Sequence, residues 1–141
     1  MKYLAKKTGK LLPLNDRETW EMGMLEQQVY DLRNGFVGLC YNQKFDELRD
    51  GYIEKATVSL KRFSDFLNDG RAWLANTLTH VDFMFYEMLD QHKLLEPTIL
   101  NDFPNLQAYI ERFEAIPKIK AYMESPEFMK RPCNNTIAKW K

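Results

Sequence analysis

Tyr30, Arg33, Asn34 and Tyr41 fall on one side of a helix when counted at about 100° per residue. The stripe mixes aromatic rings with hydrogen-bond donors, a combination that suits the wall of a pocket. The plain alternative is an aromatic core carrying one salt bridge, and spacing alone leaves both open. The imidazoles are His80 and His92. A helical step of twelve puts them on one face, but two ligands do not make a zinc site and neither lies in an HExxH pattern. They are expected as surface or core-edge side chains, and no metal centre is expected. The chain has no GxGxxG, no phosphate-cradling GKS/T loop and no GxSxG elbow. Its carboxylates sit mostly on polar helix faces. Thr79-His80-Val81-Asp82 has capping-box spacing, with Asp where Glu or Gln is more usual. That is a folding device and is assigned no catalysis.

Helices must position these residues. From about Asn15 to Tyr41, Leu25, Val29, Leu32, Phe36 and Leu39 recur at steps of three and four. Asn15 or Asp16 can cap the start, and Glu18 suits its positive end. From Phe45 to Asn68 the stripe is Leu48, Tyr52, Ala56, Leu60, Phe63 and Leu67, with Asp69-Gly70 ending it. Thr79 starts a third helix, with a staple expected between Leu78 and Phe83. Its apolar residues from Val81 to Leu95 occupy more than one face, so it is expected to be central, and Pro97 stops it. Pro104 opens a fourth helix with Leu106, Ile110 and Phe113 inward. Pro117 opens a fifth with Ile119, Tyr122 and Met123 inward, and both prolines suit a first helical position. Pro126 and Pro132 mark an irregular tail ending near Trp140. No segment alternates long enough for a strand. The expectation is all-α, a compact bundle of about five helices.

A chain of 141 residues is one domain's worth and needs no disulfide or metal to fold. Twenty basic and twenty acidic residues cancel, which argues against nucleic-acid and anionic-membrane partners. Lys2, Lys6, Lys7 and Lys10 cluster locally and read as a solvated face. Cys40 and Cys133 fit neither a zinc site nor a CxxC pair, so a reducing, cytoplasmic setting fits best. No run is apolar enough to span a membrane, and the opening residues are too short an apolar stretch for a signal peptide. Asn134-Asn135-Thr136 matches a glycosylation sequon that is idle without secretion.

Several stretches resemble the mu class of cytosolic glutathione transferases, in order along essentially the whole chain. They are Tyr3-Leu4-Ala5-Lys6-Lys7, Glu26-Gln27-Gln28-Val29, Leu39-Cys40-Tyr41-Asn42-Gln43-Lys44-Phe45, Thr79-His80-Val81-Asp82-Phe83, Asp102-Phe103-Pro104-Asn105-Leu106, Lys118-Ile119-Lys120-Ala121-Tyr122-Met123 and Trp140. The Thr79–Phe83 box occurs across the wider superfamily. The stretch from Leu39 to Phe45 and the tail with Trp140 point to the mu class.

The resemblance implies the C-terminal helical domain of a two-domain cytosolic dimer that adds glutathione to hydrophobic electrophiles, a detoxification chemistry. Residues 1–10 would then be a remnant of the last helix of a thioredoxin-like domain, and 11–141 the helical domain with its tail. Tyr41 matches the tyrosine that donates a hydroxyl hydrogen bond to charge developing on the substrate. Tyr30, Arg33 and Asn34 match pocket-wall positions, and Asn134 and Asn135 match tail positions that close the pocket. The family commonly has an aromatic residue at the position of Asn134, so asparagine implies a more polar pocket. Asp31 matches an acid that reaches glutathione bound in the partner subunit. None of the seven tyrosines matches the thiol-activating one. The isolated chain is therefore expected to bind glutathione weakly or not at all and to be nearly inactive, with no permanently bound cofactor. The competing expectation is a non-catalytic helical interaction or hydrophobic-ligand-binding domain.

Overall fold

The computed structural model describes every residue except Asp69. Among the described residues there are six helices and no strand: α1 (Lys2–Thr8), α2 (Asp16–Cys40), α3 (Phe45–Leu67), α4 (His80–Leu95), α5 (Pro104–Glu114) and α6 (Pro117–Met123). The all-α expectation holds, with one helix more than the five expected because α1 forms before Gly9. Gly9 ends α1 with a φ of 66°, which an L side chain rarely adopts. Helix α2 packs against both α3 and α4; α5 packs against α3, α4 and α6.

The stripe of α2 behaves as its spacing predicts: Leu25, Val29, Leu32, Phe36 and Leu39 are all buried. On α3, Ala56, Leu60, Phe63 and Leu67 are buried, but Leu48 is 45% exposed. The groove beside Leu48 is lined by Gly35, Gly38 and Gly51, which have no side chains to cover it. The turn expected at Asp69-Gly70 falls partly outside the described residues; Gly70 itself has a φ of 77°. On α5, Leu106, Ile110 and Phe113 are buried as expected. On α6 no residue is fully buried, and Tyr122, expected inward, is 52% exposed. Helix α6 packs mainly on α5, with Met123 Sδ also 3.9 Å from the Tyr86 hydroxyl of α4, so its turns have little to bury against, and Tyr122 lies edge-on to Phe128.

Helix α4 is the centre. Val81, Phe85, Met88 and Leu89 are buried, and Phe85 lies between Phe63 and Tyr109 at ring separations of 4.3 and 5.3 Å. The capping box at Thr79 forms. Asp82 does more than cap. Its carboxylate, fully buried, accepts from Thr79 N–H at 2.7 Å, Thr79 Oγ1 at 2.8 Å, Leu74 N–H at 2.9 Å and the Tyr109 hydroxyl at 2.7 Å. A charge-accepting oxygen in a dry site needs this many donors to offset its lost hydration. Burial and the Asp82 charge together hold the Tyr109 phenol far above the ordinary tyrosine range.

The two histidines are both buried, contrary to the surface or core-edge expectation. His92 is fully enclosed because each ring nitrogen finds a partner. Its Nδ1 lies 2.6 Å from the Met88 carbonyl, which only accepts, so Nδ1 carries the proton. Nε2 then accepts from the Tyr52 hydroxyl, also at 2.6 Å. Phe36 packs on the ring at 5.0 Å, within a second cluster of Phe36, Leu39, Cys40 and Leu95 that Trp140 covers. Burial lowers the His92 pKa from its ordinary 6.5 to about 4.

Removing the Asp82 carboxylate leaves the Leu74 and Thr79 amides and the Tyr109 hydroxyl buried without acceptors, at about 1–3 kcal/mol each. Asp82→Ala is therefore expected to lose at least about 4 kcal/mol in urea unfolding, and Tyr109→Phe about 2 kcal/mol, since it removes the donor and leaves the acceptor partnered. Equal losses from the two substitutions would contradict the hub role.

His92 sets a pH window. Its folded pKa lies below its unfolded value, so its contribution is complete above about pH 6.5 and is lost as pH falls to about 4. The full loss is about 3 kcal/mol. Urea midpoints measured between pH 7 and pH 4.5 should fall accordingly. His92→Phe should flatten that slope while lowering stability at pH 7, because Tyr52 loses its acceptor.

Candidate functional site

The site residues hang on α2, so its anchoring decides their placement. Asn15 caps the helix, its Oδ1 accepting from Glu18 N–H at 2.9 Å. Glu18, 4% exposed, accepts from Leu14 N–H at 2.8 Å and from the Asn76 side chain. Both oxygens are thus tied to segments outside the helix, and rotation of α2 about its axis is fixed from the first turn.

Tyr30 and Arg33 open into a cleft of about 620 Å³ between α1, α2 and α4, together with Tyr3, Val29, Met84 and Met88. Met84 and Met88, one turn apart on α4, supply an adaptable apolar wall. Lys2, Glu26, Glu87 and Arg33 give the cleft charges of both signs. Lys2 Nζ meets Glu26 Oε2 at 2.8 Å and holds α1 against α2. Tyr30 is 41% exposed and Arg33 makes none of the ion pairs found among the described residues. The alternative of an aromatic core with a salt bridge therefore does not describe them.

Tyr41 lies eleven residues further on, roughly 16 Å along the axis. It caps α2 and meets the tail: its Oη accepts from Asn135 N–H at 3.4 Å, which leaves its own proton free to donate. Asn134 Nδ2 donates to the Trp140 carbonyl at 3.1 Å. The Cys40 carbonyl, left without a helical partner at the end of α2, accepts from Lys139 N–H at 2.8 Å and Trp140 N–H at 3.3 Å. Trp140 stands edge-on to Phe36 at 5.5 Å, and the Arg131 guanidinium lies over its indole at 4.6 Å.

Tyr30 and Arg33 therefore share one cleft, and Tyr41, Asn134 and Asn135 share the tail junction. Asn34 is exposed and does not line the cleft. Asp31 faces the other way, into a groove of about 230 Å³ between α2 and α3 with Gln28, Tyr52, Lys55 and Arg62, and accepts from Gln27 Nε2 at 3.0 Å. The α4 wall was missed from the sequence. Its signal was the Met84 and Met88 pair at helical spacing in a helix apolar on more than one face.

The thiols are chemically quiet. Burial pushes the Cys40 pKa up to about 11 and raises that of Cys133 as well. Neither is a thiolate nucleophile near neutral pH. Among the described residues no group of three or more His, Cys, Asp or Glu side chains could hold a metal ion. No described helix is long and apolar enough to cross a membrane.

A family model described as glutathione S-transferase, C-terminal domain, matches residues 30–126. The glutathione S-transferase class-mu 26 kDa isozyme 51 of Fasciola hepatica is 44% identical over 138 residues, covering 98% of this chain and 63% of that protein. Glutathione S-transferase Mu 5 of Mus musculus is 39% identical over 140 residues, covering 99% and 62%. The chain thus spans a little under two thirds of the length of these curated relatives. Among solved structures, the glutathione S-transferase Blo t 8 superposes with a TM-score of 0.87 at 27% identity, over 97% of this chain and 66% of that one. The Onchocerca volvulus Pi-class glutathione S-transferase gives 0.85 at 28%, over 98% and 68%. With a family model spanning most of its helices and a fold shared with both of those transferases, the chain belongs to the glutathione S-transferase C-terminal domain family, with mu-class proteins among its relatives.

Proposed function

We propose that this chain is the electrophile-binding domain of a mu-class-like glutathione transferase, a cytoplasmic enzyme that conjugates glutathione to hydrophobic electrophiles in detoxification. The observation that carries this is the α1–α2–α4 cleft, where Tyr30 and Arg33 stand over apolar methionines in a chain of this family. An apolar pocket with a few placed polar groups is what a hydrophobic substrate with one reactive polar centre requires. Tyr41, which stands at the tail junction and not in the lining of that cleft, is assigned on the resemblance alone the donor to negative charge developing on the electrophile. The Asn135 N–H on its oxygen is compatible with this, because that bond polarises the hydroxyl and spares its proton. Arg33, Asn34, Asn134 and Asn135 are assigned as further contacts, and Asp31 as a group reaching glutathione in the partner subunit of a homodimer.

Thiol activation is a separate requirement. A free thiol has a pKa near ~8.5, so only a few per cent is thiolate at pH 7. The activating tyrosine of the resemblance has no counterpart among these residues. A polypeptide of these 141 residues alone is therefore assigned little or no conjugating activity and weak glutathione binding.

A second reading is a ligand-holding or interaction domain without chemistry. Trp20, Tyr3, Leu14, Met24 and Leu4 are 79, 72, 66, 61 and 58% exposed, all on α1, the following loop and the first turns of α2. Apolar exposure of this kind favours association with a further domain or a second copy.

Calorimetry separates the readings. Titrating the chain with glutathione should give no saturable heat, while an anilinonaphthalene dye should bind saturably and Tyr30→Ala with Met88→Ala should weaken the dye roughly tenfold. Dye binding untouched by that pair would remove the cleft from the site. Joined to the thioredoxin-like half of a mu-class relative, the chain should conjugate 1-chloro-2,4-dinitrobenzene. There Tyr41→Phe should lower kcat roughly tenfold or more with little change in KM. No activity in the joined protein, with the dye still bound, would favour the second reading.

A further inference from the structure

A second cleft lies on the far side of the Lys2–Glu26 contact. It measures about 240 Å³ and is bounded by α1, the loop after it, α2 and the start of α4. Its walls are largely apolar, from Leu12, Pro13 and Met22; the exposed Lys2, Lys6 and Thr19 and the half-buried Glu26 also line it, and its one buried polar side chain is the imidazole of His80. His80 is 4% exposed, yet its Nε2 finds no hydrogen-bond partner in the protein. A buried polar atom left unpaired costs about as much as a lost hydrogen bond, so a native protein seldom keeps one without use.

The ring's other contacts define what Nε2 needs. Nδ1 lies 3.3 Å from the Leu11 carbonyl, which accepts only, so Nδ1 carries the proton. The same carbonyl accepts the His80 backbone N–H at 3.1 Å, and a flipped ring would give up the Nδ1 contact to it. Leu11 is held at a φ of 59° to present this oxygen, a conformation a non-glycine residue adopts only when its surroundings impose it. In the neutral ring Nε2 is then a lone-pair acceptor. Glu26 Oε1 stands 3.5 Å from it, itself an acceptor, and Lys2 is already engaged with the other Glu26 oxygen. Two acceptors side by side facing an apolar cleft call for a guest with an N–H or O–H donor. An apolar cavity of about 150 Å³ accommodates benzene, so this one has room for a bicyclic ring.

We propose that this cleft is a binding site for small flat aromatic molecules carrying one N–H or O–H donor, such as indoles and phenols, with His80 Nε2 as the acceptor that orients them. It is separate from the cleft of Tyr30 and Arg33 and does not depend on the transferase reading.

The probes are indole and 1-methylindole, in which a methyl group replaces the donor hydrogen, and His80→Leu separates the lost donor from the added bulk. With the 141-residue chain at pH 7.5, indole should bind saturably and shift the His80 Nε2 nitrogen resonance and the Gly23 amide. 1-Methylindole should bind roughly tenfold more weakly, the cost of leaving the acceptor unpaired. His80→Leu should abolish the preference for indole; the probe comparison on the unaltered chain stands if that variant fails to fold. No saturable indole binding would overturn the proposal. Equal affinities would also overturn it, as expected were Nε2 protonated and held by Glu26. So would shifts confined to the α1–α2–α4 cleft.

Discussion

The Asp82 carboxylate ties three segments together at one buried point. It closes the start of α4 through Thr79, pins the preceding loop through Leu74, and draws in α5 through the Tyr109 hydroxyl. All of these are donors and Asp82 only accepts, so the arrangement has one consistent set of proton positions. Apolar packing around Phe85 would tolerate small slides of α5 over α4, because hydrophobic contact is not directional. Hydrogen bonds of 2.7–2.9 Å to one buried carboxylate do not. They set where α4 begins, and hence where Met84 and Met88 stand relative to Tyr30. The geometry of the proposed electrophile cleft is inherited from a bond network that no substrate touches.

Much of the fold was legible because it rests on period and punctuation. The Leu25-to-Leu39 stripe, the Asn15 cap, the Thr79-to-Asp82 box and the prolines opening α5 and α6 are local signals, and each element appears where they put it. Local signals misled where burial depends on the neighbour. Leu48 continues a perfect stripe but faces glycines; Tyr122 sits on the right face of a marginal helix and meets Phe128 of the tail instead of the core. The histidines were misjudged for the same reason. Whether an imidazole can be buried turns on partners forty or more residues away, Tyr52 for His92 and Leu11 for His80.

The site was half legible. Angle counting correctly grouped Tyr30 with Arg33, since both lie on one helix. It could not foresee that Asn34, only 40° from Tyr30 by the same count, would fall outside the cleft, because the cleft's edge is set by α1 and α4. Nor could it show that Tyr41 would be reached by the tail, a contact spanning 94 positions. That Asp31 opens to the α2–α3 groove while its neighbour Tyr30 opens to the opposite cleft follows from the 100° step once the flanking helices are in place. One helix therefore serves two surfaces, and substitutions along it divide cleanly between them.

The seal at the end of α2 has a consequence for how the protein is made. The last carbonyl of that helix and the ring of Phe36 are covered by Lys139 and Trp140, residues far along the chain from them. A chain emerging from the ribosome can form α2 early, since helices need only local contacts. It cannot close the second apolar cluster until the tail that carries Lys139 and Trp140 has left the exit tunnel. For that interval Phe36, Leu39 and Cys40 stay open to water and to other chains, which is when a helical domain of this kind is most in need of a chaperone.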